Sequence, residues 1–488
     1  MNHPLEGLTP APLWEHFYRI TTIPRPSGHE ERIAGHVLAI ARDHHLEAEQ
    51  DRRGNVRVRK PASPGGEHAA PLALQTHLDM VCEKNSTSRH NFETDPIPVR
   101  VNDGYVTSDG TTLGADNGIG VATALAVLLD PSLVHGPLEC LFTVDEETGL
   151  TGAHALSKGF LESRILLNLD SEEEGALYVG CSGGRDTILT LPVTREPLPQ
   201  GFVPLGLHIG GLRGGHSGLD IVAGRGNAIK LLARALRAIV RHQGARIASI
   251  AGGSKRNAIP RECDAAFVIR GERLKSLRDQ LDHLLDEFRT EFGSVEPGLT
   301  LSLASTRPAI DGVLHPDAQR RFLHLLEALP HGVIRMSPDI EGLVETSTNV
   351  ATVAMEGQSA VIGTSQRSSI AGALDDIVAT VDAIGALASA TVTHTDGYPG
   401  WKPDMASPLL RRTRETYVSL FGAEPAVKAI HAGLECGIIG ETFRGIDMVS
   451  FGPTIEGAHS PDERVYIASV GKFWTLLVRL LANLADRS

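Results

Sequence analysis

Three short apolar runs close on, or just before, residues that can bind protons or metals: LALQTHL (72–78), LECLFTV (138–144) and RILLNLD (164–170). Helical patterns separate them, NGIGVATALAVLLD (117–130) and GLTGAHALSKG (149–159). Continuous apolar strands alternating with helices are covered on both faces. The expectation is therefore an α/β domain with a mainly parallel sheet and helices on both faces. In such open sheets ligands bind beyond the carboxyl ends of the strands. That is where this chain places His77 and Asp79 (QTHLDM), Glu146 and Glu147 (VDEETG) and Asp170 (LNLD), with Asp116 (GADNG) just before a helix.

The middle of the chain changes character. From about 187 to 395 come amphipathic helices, IKLLARALRAIVRH (229–242) and LKSLRDQLDHLLDEFRTEF (274–292), among candidate strands such as PLGLHIGGL (204–212) and DAAFVIRG (264–271). Pro/Gly-rich stretches near 191–201 and 397–403 punctuate its ends. Buried-strand and helix patterns return in IDMVSFG (446–452) and VGKFWTLLVRLLANLA (470–485). The reading is a discontinuous catalytic domain, 1–186 and 401–488, interrupted by an α+β lid domain, 187–400. Each half of the lid can be read as a β–α–β–β–α–β, ferredoxin-like unit, although no sequence repeat is evident.

A length of 488 residues agrees with two or three domains. The 46 Lys+Arg against 59 Asp+Glu leave a formal net charge of −13 without a basic patch, which argues against nucleic acid and anionic membranes as partners. No run approaches ~18 consecutive apolar residues, so no membrane span is expected. MNHPLEGLTPAPLWEHF does not read as a signal peptide. Five scattered cysteines, Cys82, Cys140, Cys181, Cys263 and Cys436, make no C-x-x-C pair and read as reduced thiols of a cytoplasmic protein.

Imidazole and carboxylate donors without thiolate favour Zn²⁺, Mn²⁺ or Co²⁺. His-x-Asp at a strand end can pair a ligand with the carboxylate that orients it. Adjacent Glu146 and Glu147 could divide labour, one on metal and one a general base. Two ions ~3.5–4 Å apart need a bridging carboxylate, for which Asp116 is the candidate. A single strand-end carboxylate is usually a helix cap or a solvated residue. The ordered series carries the signal, whereas SEEE (171–174) reads as a solvated acidic turn.

The set QTHLDM, GTTLGADNGIG, DEETG, NLDSEEEG, RNAIPRE, HAGLECG and GPTIEGAHSPDE closely resembles the bacterial aminoacyl-histidine dipeptidases. These belong to the co-catalytic metallopeptidase family that also contains carnosinases, glutamate carboxypeptidases and aminoacylases. The resemblance spans nearly the whole chain. It implies two Zn²⁺ per chain, with Co²⁺ or Mn²⁺ as substitutes, one held by His77 and Asp170, the other by Glu147 and His459, and Asp116 bridging. It implies that Asp79 orients His77, that Glu146 is the general base, and that the Asp116–Asn117 peptide is cis. From the lid it implies His216 (LRGGHSG) at the developing oxyanion, Arg367 (GTSQRSS) on the substrate carboxylate and Asn257 as a neighbouring contact. Glu435 matches a position that meets the substrate's free amine. Were His431 and Glu435 on one helix, their spacing of four would put them on one face, a competing metal pair.

The expected activity is hydrolysis of dipeptides, foremost Xaa-His, including carnosine-like β-alanyl substrates. The partner is then a small dipeptide, and a homodimer is compatible with the family. A broader dipeptidase or an N-acyl amino acid deacylase would use the same site. A catalytically silent peptide-binding protein would be expected to have lost a ligand or the base, and none of the seven catalytic-domain positions departs from the pattern.

Overall fold

Residues 3–303 and 310–486 are described by a computed structural model. Its contacts divide the chain into two compact units. The first comprises Met1–Gly180, Trp401–Ala429 and Leu434–Ser488, the second Cys181–Gly400 and Ile430–Gly433.

Among the described residues, the first unit is built on an eight-stranded sheet. Its centre is four neighbouring parallel strands, Leu138–Thr143, Leu72–His77, Ile165–Asn168 and Asp447–Ser450. Val56–Lys60 and Ala176–Cys181 flank them in antiparallel pairing. The first two strands are buried at every position, as their unbroken apolar runs require. Helix Ala115–Leu129 is buried along almost its whole length, so it lacks a polar face.

The helix expected over 149–159 is shorter, Thr151–Ala155. Its first residues are spent on a turn in which the amides of Gly149 and Leu150 both donate to the Glu146 carbonyl, with Leu150 left-handed (φ +59°). Gly152 is obligatory there, because a Cβ would lie 2.1 Å from the Val144 carbonyl oxygen.

Helix Ile467–Ala485 has the length and mean hydropathy (1.3) that could cross a bilayer, which the count of consecutive apolar residues did not anticipate. Within the first unit it buries Val470, Phe473, Leu477, Leu480 and Leu481, the i, i+3, i+4 stripe of a core helix. Cys140 is buried in the sheet, which pushes its thiol up to about 12 and makes it a small hydrophobe.

In the second unit, among the described residues, nine strands form one antiparallel sheet. Strands Phe202–Gly210, Arg246–Gly252, Cys263–Arg270 and Thr300–Leu303, with helices Ala228–Gln243 and Leu274–Phe292, run as β–α–β–β–α–β in chain order. In the sheet the fourth strand lies outside the first, then come the third and the second. The same order recurs in Gly183–Pro192, Val344–Glu356, Ser359–Ser368 and Thr391–His394, and the two quartets join where Ala251 and Gly252 pair with Ala354 and Val353. Leu232, Leu236, Ile239, Phe267, Phe288 and Phe322 fill the core.

Candidate metal centre

His77 ends its strand with a side chain only 1% exposed, Nε2 lying 3.1 Å from Asp116 Oδ1 and 3.3 Å from Asp170 Oδ1. Half-exposed His459, held left-handed at φ +61°, brings its own Nε2 to 3.2 Å from Asp116 Oδ2 and 3.0 Å from Glu147 Oε2. Each oxygen of Asp116 thus faces a different imidazole. Two donor groups share that carboxylate, His77–Asp116–Asp170 and Asp116–Glu147–His459, each with its donor atoms within 4.8 Å of one another. Asp116 enters its helix with non-helical backbone (φ −79°, ψ 114°), and the Asp116–Asn117 peptide is cis.

Asp79 lies behind the imidazole, Oδ1 3.3 Å from His77 Nδ1. The Asp79 carboxylate also accepts from Ser27 Oγ (2.7 Å) and from the amides of Glu146 (3.1 Å) and Glu147 (3.2 Å). One buried carboxylate thereby sets both the ring of His77 and the turn carrying the glutamates. Burial would raise its pKa, but the His77 imidazole and these donors hold it down at about 2.

The electrostatics call for cations. Burial would lower the pKa of His77, yet Asp170 and Asp116 hold it well above the ordinary imidazole value. Hydrogen bonds to Asp116 and Glu147 hold His459 up at about 11. Burial would raise Asp116, but His459 and His77 press it far below the carboxylate range. Burial pushes Asp170 up to about 6 and Glu146 well above the carboxylate range. Glu147 Oε1 is buried without a hydrogen-bond donor among the described residues, a costly arrangement for an anionic oxygen. Hard oxygens and imidazole nitrogens with unsatisfied lone pairs suit a pair of divalent ions.

A pH dependence follows. In the metal-free protein, the raised histidines contribute stability that is complete below about 6.5 and fades as pH climbs toward about 11. Asp170, raised to about 6, is penalised on ionising, so stability again falls with rising pH. Ions that replace those protons reverse the trend. The gap in Tm between zinc-loaded and chelator-stripped protein should widen from about pH 6 to about pH 8.5 in thermal melts; a constant or shrinking gap contradicts the assignment.

Glu435 opens helix Glu435–Thr442 and is fully buried, Oε2 accepting from Gln75 Nε2 (2.6 Å) and Thr143 Oγ1 (2.6 Å). Among the described residues its other oxygen has no hydrogen-bond partner, and burial pushes the carboxyl up to about 8. The same-face pairing with His431 does not form. The helix begins at Glu435 after an extended Leu434, and His431 falls in the second unit, where Nε2 lies 2.7 Å from Ser347 Oγ. In the SEEE turn, Glu173 and Glu174 form ion pairs with Lys428 and Lys472.

The second unit gathers the other expected positions. Two-residue strands pair His216 with Ala258, and the Ser217 amide donates to the Asn257 carbonyl (2.8 Å). His216 Nδ1 accepts from the amides of Gly218 (3.2 Å) and Leu219 (3.0 Å), which leaves the ring proton on Nε2. Burial and the Arg367 charge push this imidazole down to about 4, so it is a neutral donor. Arg367 is largely buried on its strand and donates from Nη1 to Tyr398 Oη (2.7 Å). Sequence reasoning missed Tyr398, reading GYPGWKP as a junction. It also missed Ser27, Gln75 and Thr143, polar residues made significant by partners far along the chain.

Residues 73–483 match the profile of peptidase family M20/M25/M40. The chain is 44% identical over 481 residues to the cytosol non-specific dipeptidase of Escherichia coli K12, covering 98% of this chain and 99% of that one. The crystal structure of aminoacylhistidine dipeptidase from Vibrio alginolyticus superposes with a TM-score of 0.91 at 42% identity, over 100% of this chain and 99% of that one. An aminopeptidase from Bacillus cereus, at 17% identity and a TM-score of 0.58 over 98% and 100% of the two chains, shares the fold.

Proposed function

The chain belongs to peptidase family M20/M25/M40, and from that premise we propose that it is a cytosolic dipeptidase that prefers Xaa-His substrates and uses two zinc ions. One observation carries the dinuclear reading: Asp116 belongs to both donor groups, one oxygen toward each imidazole. His77 and Asp170 would hold one ion, Glu147 and His459 the other, and Asp116 both. Ions so held supply Lewis acidity and acidify water.

The chain's own residues handle the proton and the substrate. Glu146, whose carboxylate lies within 4.8 Å of donor atoms of His77 and Glu147, takes a proton from the attacking water and returns it to the leaving amine. His216, neutral and with its proton on Nε2, donates to the oxygen that gains charge. Arg367 meets the substrate carboxylate, with Asn257 beside it, and Glu435 answers the amine.

The Vibrio alginolyticus relative is named for aminoacylhistidine and the Escherichia coli relative for non-specific dipeptides. The second name favours a broader dipeptidase as the alternative. Zinc-loaded protein assayed on matched dipeptides and N-acyl amino acids should turn over Xaa-His fastest. Equal rates across dipeptides would give the broader enzyme, N-acyl substrates alone a deacylase, and binding without turnover a peptide-binding protein. Tyr398→Phe frees the Arg367 guanidinium of one hydrogen bond worth ~1.5–3 kcal/mol. It should raise KM roughly tenfold or more with little change in kcat.

A further inference from the structure

We infer that Glu463 and Arg25 form a clamp that fixes Asp116 before any ion arrives, Glu463 acting as a positioning residue on which both metal groups depend. Glu463 is 3% exposed and spends its whole carboxylate on one backbone segment. Oε2 accepts from the amides of Leu113 (2.7 Å) and Gly114 (2.9 Å), Oε1 from those of Ala115 (2.7 Å) and Asp116 (3.3 Å). The last two of these amides open helix Ala115–Leu129 and have no partner within it, and the first two lead into it. From the other side, Arg25 donates to the carbonyl of Gly114 through Nη2 and to those of Leu78 (2.9 Å) and Asp79 (2.7 Å) through Nη1. Arg25 thereby ties the loop after His77 to the loop before Asp116, and Glu463 ties that loop to the segment carrying His459. Gly114 completes the arrangement. Its φ is +71°, and a Cβ would lie 2.5 Å from Arg25 Nη2 and 2.8 Å from Met80 Sδ.

The inference rests on Asp116 being the shared metal ligand, and the experiment separates the two ideas. Chelator-stripped wild type and Glu463→Gln, both full-length, are titrated with Zn²⁺ by calorimetry. In the variant one oxygen becomes an NH₂ facing backbone donors. Groups that orient ligands are worth ~10–100-fold in metal affinity, and that weakening is expected, with kcat reduced and KM unchanged at saturating zinc. Wild type that fails to take two ions defeats the functional reading; wild type that takes two while the variant binds equally well overturns the clamp. Amide exchange in the stripped wild type decides the matter even if the variant does not fold. The amides of Leu113, Gly114 and Ala115 should already be protected without zinc, and protection that appears only on adding zinc would overturn the inference.

Discussion

Replacing Glu146 by Gln should lower kcat by ~10²–10⁴-fold while two zinc ions per chain and the KM for dipeptide stay near wild type, because only proton transfer is lost. The expectation comes from how the two adjacent glutamates are held. Asp79 takes the amides of both, fixing the turn, yet only Glu147 lies at ion-pair distance from His459. Burial, then the neighbouring Asp170, Glu435 and Glu147, raise the Glu146 carboxyl well above the carboxylate range, although His77 opposes them. A carboxyl tuned toward neutrality can both accept and release a proton at working pH. Steady-state kinetics with metal analysis on the same preparation checks this. Loss of zinc from Glu146→Gln would make Glu146 a ligand instead.

Asp116→Asn is expected to be more severe, since one substitution strips both donor groups of their shared charge. Metal content should fall from two zinc ions per chain to fewer than one, whereas His459→Ala, which touches one group, should retain about one. Metal ions contribute several kcal/mol of charge stabilisation in such reactions. At ~1.4 kcal/mol per tenfold, turnover should fall by more than ~10³-fold. Two ions retained in Asp116→Asn would dismiss the bridge. With the ions gone, ligand-linked stabilisation goes too, so added zinc should no longer raise Tm.

Much of the first unit was legible, since an apolar run and the polar residue ending it are adjacent in sequence. His77, Glu146, Glu147 and Asp170 stand at strand ends as read. The misreadings share a cause. The spacing of His431 and Glu435 has meaning only inside a helix, and the helix starts at Glu435 itself, four residues too late to include the first. GYPGWKP showed Pro and Gly at a junction, while Tyr398 was recruited by Arg367 through the pairing of distant strands. Glu463 stood in a quoted motif without a role, because the amides it binds lie about 350 residues earlier.

Local patterning alone determined which segments become strands and helices and which donor types stand at their ends, since burial periodicity and chain-breaking residues act over a few positions. Tertiary structure decided which ends meet. The sheet sets Leu138–Thr143, Leu72–His77, Ile165–Asn168 and Asp447–Ser450 side by side in an order the chain does not follow. Those neighbours bring the glutamates, His77 and Asp170 to one edge, and the segment after the last of them delivers His459. Burying like charges in so small a volume is unfavourable for each residue alone. Only the packed sheet, with Asp79 and Glu463 spending their carboxylates on backbone amides, holds Asp116 between two imidazoles.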